Sequence, residues 1–176
     1  MTATAKMMSQ MATAGAIGCV GDAVVQRITK PELSLATYDV DQTLRILAYR
    51  VPQAPLVSAI WDRFDLWASR LRLLGWRSVA FKVVADQALI MPPMIILFIG
   101  SQSQLEGDSL QDTVQKIKNG YVYLGVASLS VYPLAHLVTF GVCKPHQRVA
   151  WLSCVATGYT AFMSYTNQRL KKGERL

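Results

Sequence analysis

The stretch FKVVADQALIMPPMIILFIG, residues 81–100, decides how this chain is read. Its apolar part is long enough to cross a hydrocarbon core of about 30 Å at a helical rise of ~1.5 Å per residue. Yet Lys82, Asp86 and Gln87 stand near its start and Pro92-Pro93 in its middle. Charged side chains inside a membrane are costly and turn inward, toward other helices or a hydrated cavity. The stretch therefore predicts one helix of a membrane bundle with a polar network inside it.

The rest of the chain agrees with that reading. Of 176 residues, 52% are hydrophobic and 16% charged, with a mean hydropathy of +0.25. Charged residues average about 25% in soluble domains, so the expectation is an integral membrane protein of one domain over residues 1–176. The net charge of +7 does not imply nucleic-acid binding, because the basic residues fall between apolar stretches rather than on one face. Cys19, Cys143 and Cys154 form no CxxC pair and have no His at zinc-ligand spacing. Neither a disulfide framework nor a metal or other cofactor is expected. The start MTATAKMMSQMATAGAIG reads as neither a secretory signal nor an Arg-rich transit peptide, so any import is expected to use internal signals.

Apolar stretches recur at roughly 12–28, 46–61, 83–99, 121–142 and 149–165. Lipid-facing irregular backbone is forbidden, whereas Pro, Gly and polar groups are accepted where helices shield one another. The fold expected is all-α, a transmembrane helical bundle of about four spans with helices bent at Pro92 and Pro133. Gly15, Gly18 and Gly21 recur at three-residue spacing and form a flat ridge for close helix packing. Trp61, Trp67 and Trp76 lie among Arg63, Arg70, Arg72, Arg77 and Lys82, the pattern of an interfacial belt. With four crossings the N-terminus, the 62–82 connection and the C-terminal tail share a side holding ten Lys and Arg against eight opposite. Five crossings reverse that bias, which favours four.

Blocks of residues then fall into an order that resembles the Mpv/PMP family of small peroxisomal and inner-mitochondrial membrane proteins over nearly the whole chain. TAGAIGCVGDAVVQ contains Gly21, Asp22 and Gln26; TLRILAYRVPQAPLVSAIWD contains Pro55 and Trp61; KVVADQALIMP contains Lys82, Asp86, Gln87 and Pro92. VYPLAHLVTF contains Pro133 and Phe140, and PHQRVAWLSCVATGYTAFMS contains Arg148 and Ser164. The chain departs from the family pattern at Tyr132, His136, Thr139, Lys144 and Tyr159. The resemblance implies a bundle of about four spans without catalytic activity, in the mitochondrial inner membrane or alternatively the peroxisomal membrane. It also implies members that act as weakly selective pores or modulators of conductance.

The polar residues admit two roles. Asp22, Gln26, Asp86 and Gln87 could line a hydrated cavity whose charge Lys82 sets, or they could hydrogen-bond helix to helix and fix register. Lys82 and Asp86, four residues apart, are spaced to pair along one helix face. Arg50 is placed to snorkel to headgroups or to pair with Asp22 or Asp86. His136, three residues after Pro133, reads as a hydrogen-bonded interior histidine rather than a metal ligand. HExxH, GxSxG, P-loop and GxGxxG motifs are absent from the sequence, so no enzyme is expected. The expected function is that of a membrane-embedded accessory or scaffold subunit of a larger inner-membrane assembly, with a pore as the alternative. The expected partners are the lipid bilayer and other membrane subunits, or else further copies of the chain.

Overall fold

The computed structural model describes residues 2–29 and 37–171, and among them the secondary structure is helical. Helix α1 spans Ala3–Thr29, α2 Val40–Arg70, α3 Trp76–Ala85, α4 Met91–Leu105, α5 Leu110–Gly141 and α6 Arg148–Lys171. A single π-helical turn, Asp86–Ile90, joins α3 to α4. Ser164 and its neighbours in the C-terminal part of α6 lie outside the residues whose side chains are described.

The chain divides into two compact units, one of Met1–Pro55 with Val149–Leu176 and the other of Leu56–Arg148. The division falls within α2, at the second of its two prolines. Two helical runs, Trp76–Leu105 of 30 residues and Leu110–Gly141 of 32, are long and apolar enough to cross a membrane. Their outward residues, Val84, Leu89, Ile96 and Leu97 on one and Val122, Val126, Leu129 and Leu134 on the other, are large, apolar and exposed. Exposed side chains of that kind suit acyl chains and would be a liability in water.

In the first unit the glycine ridge of α1 is covered from within the chain. A Cβ placed on Gly15 would sit 3.5 Å from Val51, and one on Gly18 3.4 Å from Leu47 and 3.6 Å from Arg50, so α2 lies on both. At Gly21 the neighbour is α6, and a Cβ there would come within 3.0 Å of Thr157 Cβ and closer still to its Oγ1 and Cγ2. The two ends of the ridge should therefore answer oppositely to alanine. Gly15→Ala is expected to stabilise by about 0.5–1 kcal/mol, the gain of replacing a mid-helix glycine. Gly21→Ala should instead lose about 1–3 kcal/mol through overpacking, more than the helix gains. Thermal denaturation in mild detergent would show the contrast, and equal shifts of the same sign would contradict the packing.

In the second unit α5 packs against both α3 and α4. The sequence closes α4 and opens α5 by local rules. Gly107 has φ +85°, and the amides of Gly107 and Asp108 donate back to Gln104 and Ser103 carbonyls, both at 3.1 Å, forming a Schellman cap. Ser109 then caps α5 by accepting from the Asp112 amide at 3.2 Å. Lys116 pairs with Asp108 and, at 3.2 Å, with Glu106, tying the turn to α5. The hydrogen bonds from Lys116 and Ser103 hold the half-buried Asp108 carboxyl below its usual range.

Pro52, Pro55 and Pro133 lie inside helices that continue through them. Pro92 and Pro93 fall instead in the first turn of α4. Neither proline has an amide to donate to the preceding turn, and the π turn directly ahead of them is where the ladder is rearranged.

Two buried acids and their partners

Among the described residues, each unit has one buried carboxylate near the centre of a polar network. In the first it is Asp22, 4% exposed. Gln26, one turn on, donates from Nε2 to Asp22 Oδ2 at 2.8 Å. From α2, Thr43 Oγ1 donates to the same oxygen at 2.5 Å and Gln42 Nε2 to Oδ1 at 2.7 Å. Tyr38 reaches Thr43 Oγ1 at 2.6 Å, and because Thr43 gives its proton to Asp22, Tyr38 is the donor.

Gln26 also anchors the start of α2. Its Oε1 accepts from the Asp39 amide at 2.9 Å and its Nε2 donates to the Asp39 carbonyl at 2.8 Å. Asp39 in turn caps α2, its Oδ1 accepting from the Gln42 amide at 2.8 Å. In a capping box the third helical residue would reach back to the Asp39 amide. Here Gln42 is turned to Asp22, and Gln26 of α1 takes over that bond, so helix start and helix contact become one structure. Arg50, expected to snorkel or to meet an acid, donates to Thr157 Oγ1 of α6 at 3.1 Å.

In the second unit the buried acid is Asp86, 3% exposed, at the start of the π turn. Trp61 of α2 donates from Nε1 to its Oδ1 at 2.6 Å, and His136 Nε2 of α5 lies 3.0 Å from Oδ2. A carboxylate only accepts, so the proton between His136 and Asp86 sits on Nε2. Gln87 Nε2 makes a longer contact to Oδ2 at 3.4 Å. Trp61 and His136 meet edge to face at 5.8 Å, and Phe140 stacks on His136 at 5.5 Å.

Phe140 links this group to a second one. The Arg148 guanidinium lies over its ring at 5.4 Å and donates from NH1 to Asp65 Oδ2 at 2.6 Å. Lys82 Nζ reaches the other oxygen of Asp65 at 2.5 Å. Burial alone would raise the Asp65 pKa, but the hydrogen bonds from Arg148 and Lys82 outweigh it and hold the carboxyl below the usual range. Aromatic rings and ion pairs thus run without a break from Asp86 to Lys82.

The sequence expectations need correction at two points here. Lys82 pairs with Asp65 rather than with Asp86 one turn away, because a carboxylate on α2 also faces Arg148 and can share one charge between two cations. Trp61 is no belt residue: it is 2% exposed, whereas Trp67 and Trp76 are 42% and 76% exposed. Asp22 meets Gln26 within the first unit and Asp86 meets Gln87 within the second. Pro55 lies in the middle of α2 at the unit division. The sequence alone does not single out Asp65 and Thr43 as partners, and the signal for Asp65 is its position four residues after Trp61, on the same face of α2.

Among the described residues no group of three or more His, Cys, Asp or Glu is placed to hold a metal ion. The arrangement offers hydrogen bonding and charge neutralisation in an apolar setting.

A model of a family described as Mpv17 / PMP22 matches residues 103–164, a stretch that includes Pro133, His136, Phe140 and Arg148. Protein SYM1 of Yarrowia lipolytica is 30% identical over 155 residues, covering 88% of this chain and 71% of the relative. The chain belongs to the Mpv17/PMP22 family. Other relatives in the family include Protein sym-1 of Neurospora crassa, 26% identical over 163 residues, 92% of this chain and 91% of that protein. Mitochondrial inner membrane protein Mpv17 of Danio rerio is 23% identical over 163 residues, 92% and 89% of the two chains. No solved structure matches the chain. The family match falls on the C-terminal part despite the departures at Tyr132, His136 and Thr139.

Proposed function

We infer that this Mpv17/PMP22-family chain is a non-catalytic membrane bundle that serves as an embedded accessory or scaffold subunit of a larger respiratory or ATP-synthesising assembly. Its membrane is the mitochondrial inner membrane, the one in the name of the Danio rerio relative. The observation that carries the reading is the burial of Asp22, Gln26 and Asp86 at 4%, 1% and 3% exposure, with partners on neighbouring helices of their own unit. Acids so enclosed hold helices in register; acids lining a conducting path would meet water. The bundle is read with four crossings, which fit the charge bias of the connecting segments, and with bends at Pro92 and Pro133.

One observation favours the alternative, a weakly selective pore. Gln87 Oε1 and His136 Nδ1 are buried beside Asp86 without a hydrogen-bond partner among the described residues. Buried polar atoms of that kind are often satisfied by internal water.

Native gel separation of gently solubilised membranes, with mass spectrometry of the band holding this chain, separates the two. Migration with a megadalton assembly that survives salt and dilution is the expected result. Migration as a monomer or small homo-oligomer would contradict the subunit reading.

A further inference from the structure

The turn between α2 and α3, residues 70–77, reads RLRLLGWR and serves neither buried network. Beside it lies a cleft of about 480 Å³ lined by Asp65, Ser69, Arg72, Leu73, Leu74 and Ser78 among others. We propose that this cleft binds the phosphodiester headgroup of an anionic phospholipid in the surrounding leaflet, with Arg72 as its principal cation.

Three observations point to that ligand. The first is depth. Trp76 begins the helical run that is long enough to cross the membrane, so the turn lies where that run enters the headgroup layer. Leu71, Leu74 and Trp76, exposed at 60%, 82% and 76%, would sit among the upper acyl chains.

The second is charge. Residues 62–82 hold five cations, Arg63, Arg70, Arg72, Arg77 and Lys82, against two carboxylates, Asp62 and Asp65. Asp65, the acid in the cleft wall, is already bonded to Lys82 and Arg148. It therefore offers little repulsion to an incoming anion, and the local excess is positive.

The third is the choice of residue. The Arg72 and Leu73 amides donate to the Ser69 and Ala68 carbonyls at 3.0 and 2.9 Å, closing α2 with a Schellman cap. Arg72 holds the left-handed position of that cap at φ +51°, where glycine is the default. An arginine there accepts backbone strain and brings to the lining of the cleft a side chain with a planar donor group suited to phosphate.

That geometry supplies a clean variant. Arg72→Gly relieves the backbone and removes the cation, so the protein should melt at the same temperature or higher while losing lipid. The test is native mass spectrometry of the purified full-length chain in detergent, titrated with phosphatidylglycerol or with phosphatidylcholine. The wild type should retain phosphatidylglycerol at least five-fold better, and Arg72→Gly should bring the ratio close to one with melting unimpaired. Equal retention of both lipids by the wild type would overturn the site, as would undiminished selectivity in Arg72→Gly. Displacement of bound phosphatidylglycerol by millimolar inorganic phosphate alone would likewise overturn it, assigning the cleft to a soluble anion.

Discussion

Asp65→Ala is expected to lower the stability of the detergent-solubilised protein by about 3 kcal/mol, because breaking a buried pair strands the charges left behind. The two cations that it neutralises are the more buried members, Lys82 at 11% and Arg148 at 8% side-chain exposure. Asp65 itself is 31% exposed, so water screens part of the interaction and the loss should lie at the low end for such clusters. Arg148 would also lose what fixes it over Phe140, carrying the disturbance toward His136. Lys116→Ala, whose ion pairs are solvent-exposed, should move the melting midpoint much less. The pH dependence has a defined sign. The folded-state pKa of Asp65 is lowered, so its stabilisation is complete above the unfolded value of about 3.9 and is lost as pH falls through the folded one. Between pH 5 and 8 this cluster should contribute no slope. An Asp65→Ala protein that melts like the wild type would show that the ion pairs do not hold the unit together.

Trp61→Ala should be the most damaging single substitution, at about 3–5 kcal/mol, the cost of removing a fully buried tryptophan. The indole is 2% exposed, packs edge to face on His136 and Phe140, and donates to Asp86. Trp61→Phe separates these roles, since it keeps a ring and removes the N–H. Hydrogen bonds between membrane helices average only about 0.6 kcal/mol, whereas a buried acceptor that loses its donor in a dry setting costs about 1–3 kcal/mol. The phenylalanine variant should therefore lose about 1 kcal/mol and the alanine variant several times more. Denaturation midpoints, together with the yield of monodisperse protein, measure both. Equal losses would mean that the bond to Asp86 rather than ring packing dominates.

Much of this architecture was visible in the sequence, and the parts that were not share a physical reason. The apolar stretch 83–99 lies inside Trp76–Leu105, and 121–142 lies inside Leu110–Gly141 but for its last residue, Val142. Hydropathy marks where a helix is greasy and not where it ends, so the polar opening LQDTVQKIKNG of α5 and the last turns of α2 were invisible to it. Gln26 followed Asp22 by four residues, and that spacing sufficed to place both on one face. The same rule pointed Lys82 to Asp86, because periodicity compares only residues of one helix and cannot weigh a better partner on another. Trp61 resembled an interfacial anchor by its basic neighbours, yet its burial depends on α5 supplying His136 and Phe140 seventy-odd residues later. The π turn had a local cause, two consecutive prolines, but its effect on the ladder is a property of the folded helix.

Aqueous accessibility of the two buried acids separates a helix-bonding role from a water-lined one most directly. Asp22→Cys and Asp86→Cys, each built with Cys19, Cys143 and Cys154 replaced by serine, can be exposed in native membranes to a charged, membrane-impermeant thiol reagent added to both faces. Burial of both positions within bonded networks predicts that neither cysteine reacts until detergent denatures the protein. Rapid modification of either in the intact membrane would place it on a water path and contradict the role assigned to these acids.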